Sequence, residues 1–279
     1  MKFSRCARAA CAAVLSAVVS LAAAAPYSFG SRSLQIPAPD SYDATSTQTP
    51  KLFELGTAFT PATNRLAEFY VTAADAQALL GGTIDALPRY FQLQVPRALD
   101  GKPLSVAEFR ANSKTIEGSL EEAMKQAGDQ AKDLLDQANA KVEQKFGSDP
   151  GVSVSDVGYH GVFRREDWGL FFTMSSQVAA ADSPSNRMFC AGAIALIDHQ
   201  LVYFYSYSLE RTPADREWAK RTLNAWVDAV RLANPDDAAV EAQAAASSTG
   251  SNFWVRTLVF AVFGGLIGVL YGHWRKRRA

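Results

Sequence analysis

From Phe253 to Tyr271 the chain runs 19 residues with one charge, Arg256, and then meets Arg275, Lys276, Arg277 and Arg278 in succession. As a helix that run extends about 28 Å, close to the roughly 30 Å of hydrocarbon in a bilayer. The pattern predicts a transmembrane helix over 253–272 and a basic tail over 273–279. On that reading the residues before it lie on one side of a membrane.

Those residues open with a second apolar segment of a different kind. Lys2, Arg5 and Arg8 precede a short Ala/Val/Leu stretch that ends in Ala22, Ala23 and Ala24. A basic start, a short apolar middle and small residues at the end read as a signal peptide over 1–24, cleaved after Ala24. An uncleaved anchor is the alternative. All 28 Asp and Glu lie between residues 25 and 252, which hold 20 of the 28 Lys and Arg, so the part between the two apolar segments carries a net charge of −8. The basic residues Arg275, Lys276, Arg277 and Arg278 should stay cytoplasmic, with the acidic part exported across a bacterial-type inner membrane. Such a charge argues against nucleic acid as a partner. With Cys6 and Cys11 in the leader, Cys190 is the one thiol left, so no intrachain disulfide can brace the exported part.

Composition divides that part. Residues 25–50, rich in Pro, Ser, Thr and Gln, read as a disordered lead-in, and 235–252, nearly all Ala, Ser and acidic residues, as a linker to the membrane. Between them, 51–234 is long enough for one hydrophobic core.

Inside 51–234, apolar residues recur at helical spacing from Ile116 through Leu120, Leu135, Ala138 and Val142, predicting one long amphipathic helix over 114–146. Its stripe is rich in Ala, which favours packing on the domain's own sheet over a coiled coil between subunits. From residue 152 the period changes to two. Strands are expected around 157–164, 168–174, 188–197 and 201–209, as two hairpins in an antiparallel meander. Thr212, Pro213 and Asp215 then announce a helix with a buried stripe of Ala219, Leu223, Trp226, Val227 and Val230. Shorter helices are expected at 73–80 and from 104–110, and a strand at 90–95. The fold class is α+β: an antiparallel meander of about four to six strands packed on a long helix and a C-terminal helix, with one transmembrane helix beyond.

The strand Phe91-Gln-Leu-Gln-Val-Pro96, the late meander and the closing helix with Trp218 and Trp226 follow the order of elements in PsbP-like α+β domains, which residues 88–234 resemble. The resemblance implies a non-catalytic accessory or assembly role at a membrane surface, and it carries over no site residues.

The chain has no nucleophile elbow, no paired-Cys or His-Glu-x-x-His metal motif and no phosphate-cradling glycine loop. No metal or cofactor is expected, since the exported part has two histidines, His160 and His199. A catalytic reading would take Cys190 as nucleophile with His160 or His199 as base, oriented by Asp198 or Asp156. Against it, Cys190 sits in an apolar strand and reads as a buried structural thiol. Tyr203, Tyr205 and Tyr207 share one strand face and form a candidate ligand platform, with cross-strand packing under a helix as the alternative. Gly264, Gly268 and Gly272 recur every fourth residue in the apolar run, a pattern suited to close helix pairing with a second copy or another membrane protein. These readings favour a membrane-anchored extracytoplasmic domain that binds or assembles with an unspecified partner. The alternative is a tethered hydrolase using Cys190.

Overall fold

The computed structural model describes residues 25–30, 32–125, 127–147, 151–180 and 184–247. The leader, the apolar run, Gly264, Gly268, Gly272 and the basic tail lie outside them. Among the described residues no helix is long and apolar enough to cross a membrane.

In chain order the elements are β1 (Ala25–Phe29), β2 (Arg32–Ile36), β3 (Asp43–Ala44), α1 (Thr45–Gln48), α2 (Pro50–Ala58), β4 (Asn64–Val71), α3 (Ala73–Gly81) and β5 (Arg89–Pro96). A 3-10 turn (Arg97–Leu99) leads to α4 (Val106–Lys125), α5 (Ala127–Phe146), β6 (Ser153–Glu166), β7 (Gly169–Ala179), β8 (Asn186–Ile197), β9 (Gln200–Leu209), α6 (Pro213–Ala233) and α7 (Ala238–Ser247).

Seven strands form one antiparallel sheet in the order β3-β4-β5-β9-β8-β7-β6, so the fold is α+β as expected. The meander β6 to β9 is present, and the sheet exceeds the four to six strands expected because β9 continues its pairing onto β5. The chain leaves β5 through α4 and α5 before it enters β6 at the far edge. The last strand to be made therefore closes against the middle of the sheet.

Alternation along β8 and β9 sorts side chains to two faces. Met188, Cys190, Ile194 and Leu196, with Tyr203, Tyr205 and Tyr207, join one core beneath α2, α3, α4 and α5. Phe189, Ala191, Ala193, Ala195, Val202 and Phe204 join the other, beneath α6 and the β1–β2 hairpin. The small residues of β8 let α6 lie close to the sheet. Its buried stripe is the one read from the sequence: Ala219, Leu223, Trp226, Val227 and Val230.

Three expectations need correction. Residues 25–50 are not a disordered lead-in: Phe29, Leu34 and Ile36 bury against the sheet and α6, so β1 and β2 have a core of their own to join despite polar surroundings. The single helix expected over 114–146 is instead two elements, α4 and α5, and the helix expected from 104–110 is the start of α4, where Ser105 Oγ accepts the Glu108 N–H at 3.0 Å and caps it. The linker 235–252 contains α7, an Ala-rich segment of good helix propensity whose Ala244 is buried. Sequence reading also passed over β4, whose nearly continuous burial lacks an alternating pattern.

Candidate functional site

The proposed catalytic residues are not brought together. Cys190 faces the core under the helices and is 2% exposed, and burial pushes its thiol well up from the ordinary range. His160 lies on the opposite face, with Nε2 3.0 Å from Ser175 Oγ and its ring against Phe189. His199 occupies the β8–β9 turn, about 23 Å from Cys190 at the rise of a strand. Asp198 is engaged by Arg32 and by the Asp237 N–H, and Asp156 lies 3.4 Å from Arg187. Among the described residues no group of three or more His, Cys, Asp or Glu is arranged to hold a metal.

His160 instead belongs to a surface network that sequence spacing did not show. Arg187 donates to Ser175 Oγ at 3.1 Å and to Glu210 at 3.2 Å, and Arg216 shares Glu210. Burial, with Arg216 and Arg187 adding repulsion, lowers the His160 pKa, so the ring is neutral at pH 7. Ser175 is buried beneath this network with its hydroxyl enclosed, which makes the pair a brace between β6 and β7.

The tyrosine row is likewise interior. Tyr203, Tyr205 and Tyr207 are at most 2% exposed, and Tyr207 stacks on Tyr90 of the neighbouring strand with ring centroids 4.7 Å apart. The cross-strand alternative therefore describes it, since any ligand would first have to lift the helices away. Among the described residues the Tyr203 hydroxyl finds no hydrogen-bond partner, and the Tyr207 hydroxyl lies beside the Cys190 thiol.

An open cleft lies on the other face. Residues 35–42 run along α6 as a strap and are pinned to it at two points. The Asn234 side chain accepts from the Gln35 N–H at 2.7 Å and donates to the Gln35 carbonyl at 2.6 Å, while Trp226 Nε1 donates to the Pro37 carbonyl at 2.9 Å. Beyond these pins the strap turns: the Tyr42 N–H bonds back to the Pro39 carbonyl at 3.0 Å, with Ser41 at φ 68°.

That turn leaves a cavity of about 200 Å³ between strap, sheet and helix, lined among others by Pro39, Tyr42, Phe91, Trp218 and Trp226. Tyr42 meets Phe91 edge-on at 4.7 Å, and Phe91 meets Trp226 edge-on at 5.5 Å. On α6 the wall is Trp218, Thr222, Ala225 and Ala229, a helical stripe whose small members leave the space open.

The Trp218 wall is backed by the start of the helix. Asp215 accepts the Thr212 N–H at 2.9 Å, as a capping box requires, and also takes Arg89 at 3.1 Å. Burial opposes the Asp215 charge, yet the Arg89 and Thr212 donors outweigh it and hold the carboxyl below its usual range. The same Arg89 guanidinium sits 4.3 Å over the Trp218 ring. Burial pushes the Tyr42 phenol up to about 12, against the opposing charge of Arg89, so its hydroxyl is protonated and can donate.

Such a cleft can hold a flat or aliphatic group against aromatic walls and offer it the Tyr42 phenol and the Asp40 side chain of its lining. Sequence reading placed Trp226 in the core, but Trp218, two helical turns earlier, was left without a role.

No family model matches the chain, and no curated protein is similar to it in sequence. Among solved structures, cyanobacterial PsbP (CyanoP) from Synechocystis sp. PCC 6803 is similar over 75% of this chain and 93% of that one, at 10% identity and a TM-score of 0.32. A likeness of that size assigns no role to any residue.

Proposed function

We propose that the chain is an exported single-pass membrane protein whose ectodomain is a non-catalytic binding module, with the strap cleft as its ligand or partner site. The observation that carries this reading is the cleft itself: a preformed, solvent-open cavity of about 200 Å³ with aromatic walls, held open by two pins to α6. Preformed apolar cavities with a few convergent polar groups are the usual form of binding sites.

The apolar run over 253–271 and the basic residues after it support anchoring with the C-terminus in the cytoplasm of a bacterial-type cell. Gly264, Gly268 and Gly272 support pairing of that segment with a second copy or with another membrane protein. A hydrolytic role for Cys190 gains nothing from its position on the face opposite His160.

The test uses the full-length protein in its own membranes with a photocrosslinking residue at Ala225, inside the cleft. A discrete adduct is expected, and it should be lost in Trp218→Ala while the fold is kept. No adduct, or one that Trp218→Ala leaves intact, refutes the cleft as the site. Resistance of the chain to alkaline carbonate extraction tests the anchor separately.

A further inference from the structure

The β8–β9 turn lies at one end of the large sheet, and α7 is clasped to that end. Glu241 on α7 accepts the Val106 N–H at the start of α4 at 3.1 Å and lies 3.0 Å from His199 Nδ1 in the turn. His199 is 1% exposed, and its Nδ1 also faces the Leu104 carbonyl at 3.3 Å. Two acceptors at one nitrogen fix the tautomer with the proton on Nδ1. Just before α7, the Asp237 N–H donates to Asp198, whose other oxygen takes Arg32 from the β1–β2 hairpin. Ala244 is buried beneath the helix. The segment that leads toward the apolar run is thus tied to the start of α4 and to the β8–β9 turn.

This clasp changes the reach of the chain. An unbound segment over 235–252 could extend about 60 Å, but with α7 held, only residues 248–252 separate Ser247 from Phe253, a reach of about 20 Å.

At the same end Asp237 is exposed and its side chain accepts the Ala239 N–H at 2.8 Å, at the start of α7. Asp100, Asp167, Asp198 and Asp236 are paired with Arg65, Arg110, Arg32 and Arg231. Arg97 and Lys102, on the turn that follows β5, are exposed and have no ion-pair partner among the described residues. Leu232, in the last turn of α6, is 86% exposed, and among the described residues it is the one large apolar side chain so placed.

We propose that this end, formed by the β8–β9 turn, the turn over Arg97–Leu99, the C-terminus of α6 and α7, is a lipid-facing surface that rests on the bilayer entered by the chain's own apolar run. Unpaired cations meet anionic headgroups there, and an exposed leucine meets the interface. The inference rests on the anchor reading. It adds that the domain does not swing on a tether: it is held with one end down, and the opposite end, near Asn186 and Leu209, points away from the membrane.

The experiment uses full-length protein, with Cys6 and Cys11 changed to Ser, in phosphatidylcholine–phosphatidylglycerol vesicles that carry a headgroup nitroxide lipid. Cys190 is buried and stays unlabelled. One fluorophore is placed at Ser33→Cys, on the hairpin beside Arg32, and in a second sample at Ser185→Cys, about 35 Å away along the sheet at the rise of a strand. The Ser33 probe is expected to lose most of its emission to the nitroxide and the Ser185 probe to keep it. In Glu241→Lys, which breaks the clasp, that difference should vanish while the domain keeps its melting transition and the chain still resists carbonate. Equal quenching at the two positions in carbonate-resistant wild-type protein overturns the lipid-facing surface and leaves the anchor standing. If carbonate strips the wild-type chain from the vesicles, both readings fall.

Discussion

Gly192 provides a sharp test of packing in the core beneath α2 to α5, on the sheet face opposite the cleft. It lies in mid-strand, paired with Phe172 on β7 and Tyr205 on β9, and the Phe172 ring covers the space that a side chain would use. A Cβ at this position would fall 2.4 Å from Phe172 Cζ and 2.9 Å from each Cε. Those separations lie far inside van der Waals contact. Phe172 and Tyr205 are at most 1% exposed, so the ring has nowhere to swing without moving its neighbours. Gly192→Ala should therefore destabilise the domain by about 1–3 kcal/mol, the range found for overpacked cores. For a domain of this size that is a fall in Tm of roughly 3–10 °C. Phe172→Leu has a cost of its own from lost burial, but it should relieve the clash. The double variant is then expected to be more stable than the sum of the single changes implies, by about 1 kcal/mol or more. Thermal melts and urea titrations of all four proteins measure this. A Gly192→Ala protein that melts with the wild type, or a strictly additive double variant, would refute the packing argument.

Glu68 is fully buried and accepts from the Ser46 N–H at 3.0 Å, the Phe69 N–H at 2.9 Å and Tyr27 Oη at 2.9 Å, so Glu68→Ala strands several donors. Urea titration should find a loss on the order of 3 kcal/mol, and a loss well under 1 kcal/mol would contradict this reading of the network. His160 has a lowered pKa in the fold, so the unfolded chain binds its proton more readily. Its contribution is present above the ordinary histidine value near 6.5 and is lost as pH falls below it. Stability measured from pH 7.5 to pH 5 should decline less steeply in His160→Gln than in the wild type; an unchanged slope would sink the assignment. Cys190 should react with a disulfide reagent only after unfolding, because the thiol is buried and its pKa raised. Rapid labelling of the native protein would show that the strand face is open.

The parts of the fold that could be read in advance are those whose signals are local. The period-two run from β6 to β9 and the stripe on α6 follow from side-chain direction along a single element, and both appear where that periodicity places them. The short β1 and β2 were obscured by their polar neighbours, and β4 by burial on both sides, which removes alternation. Of the candidate site, Trp226 and Phe91 were visible as apolar positions, but no local pattern assigns Trp218, Tyr42 and Pro39 to one cavity.

Sequence alone determined where the apolar segments lie, how charge divides between residues 25–252 and the basic tail, which tyrosines of β9 share a face, and which stripe of α6 turns inward. Each of these depends on the chemistry of residues close together in the chain. Tertiary structure decided that β9 pairs with β5, that His160 and Cys190 stand on opposite faces of the sheet, that residues 35–42 lie along α6, and that Glu241 reaches His199. These contacts join positions far apart in sequence. They exist only because burying the two faces of one sheet forces a particular stacking order.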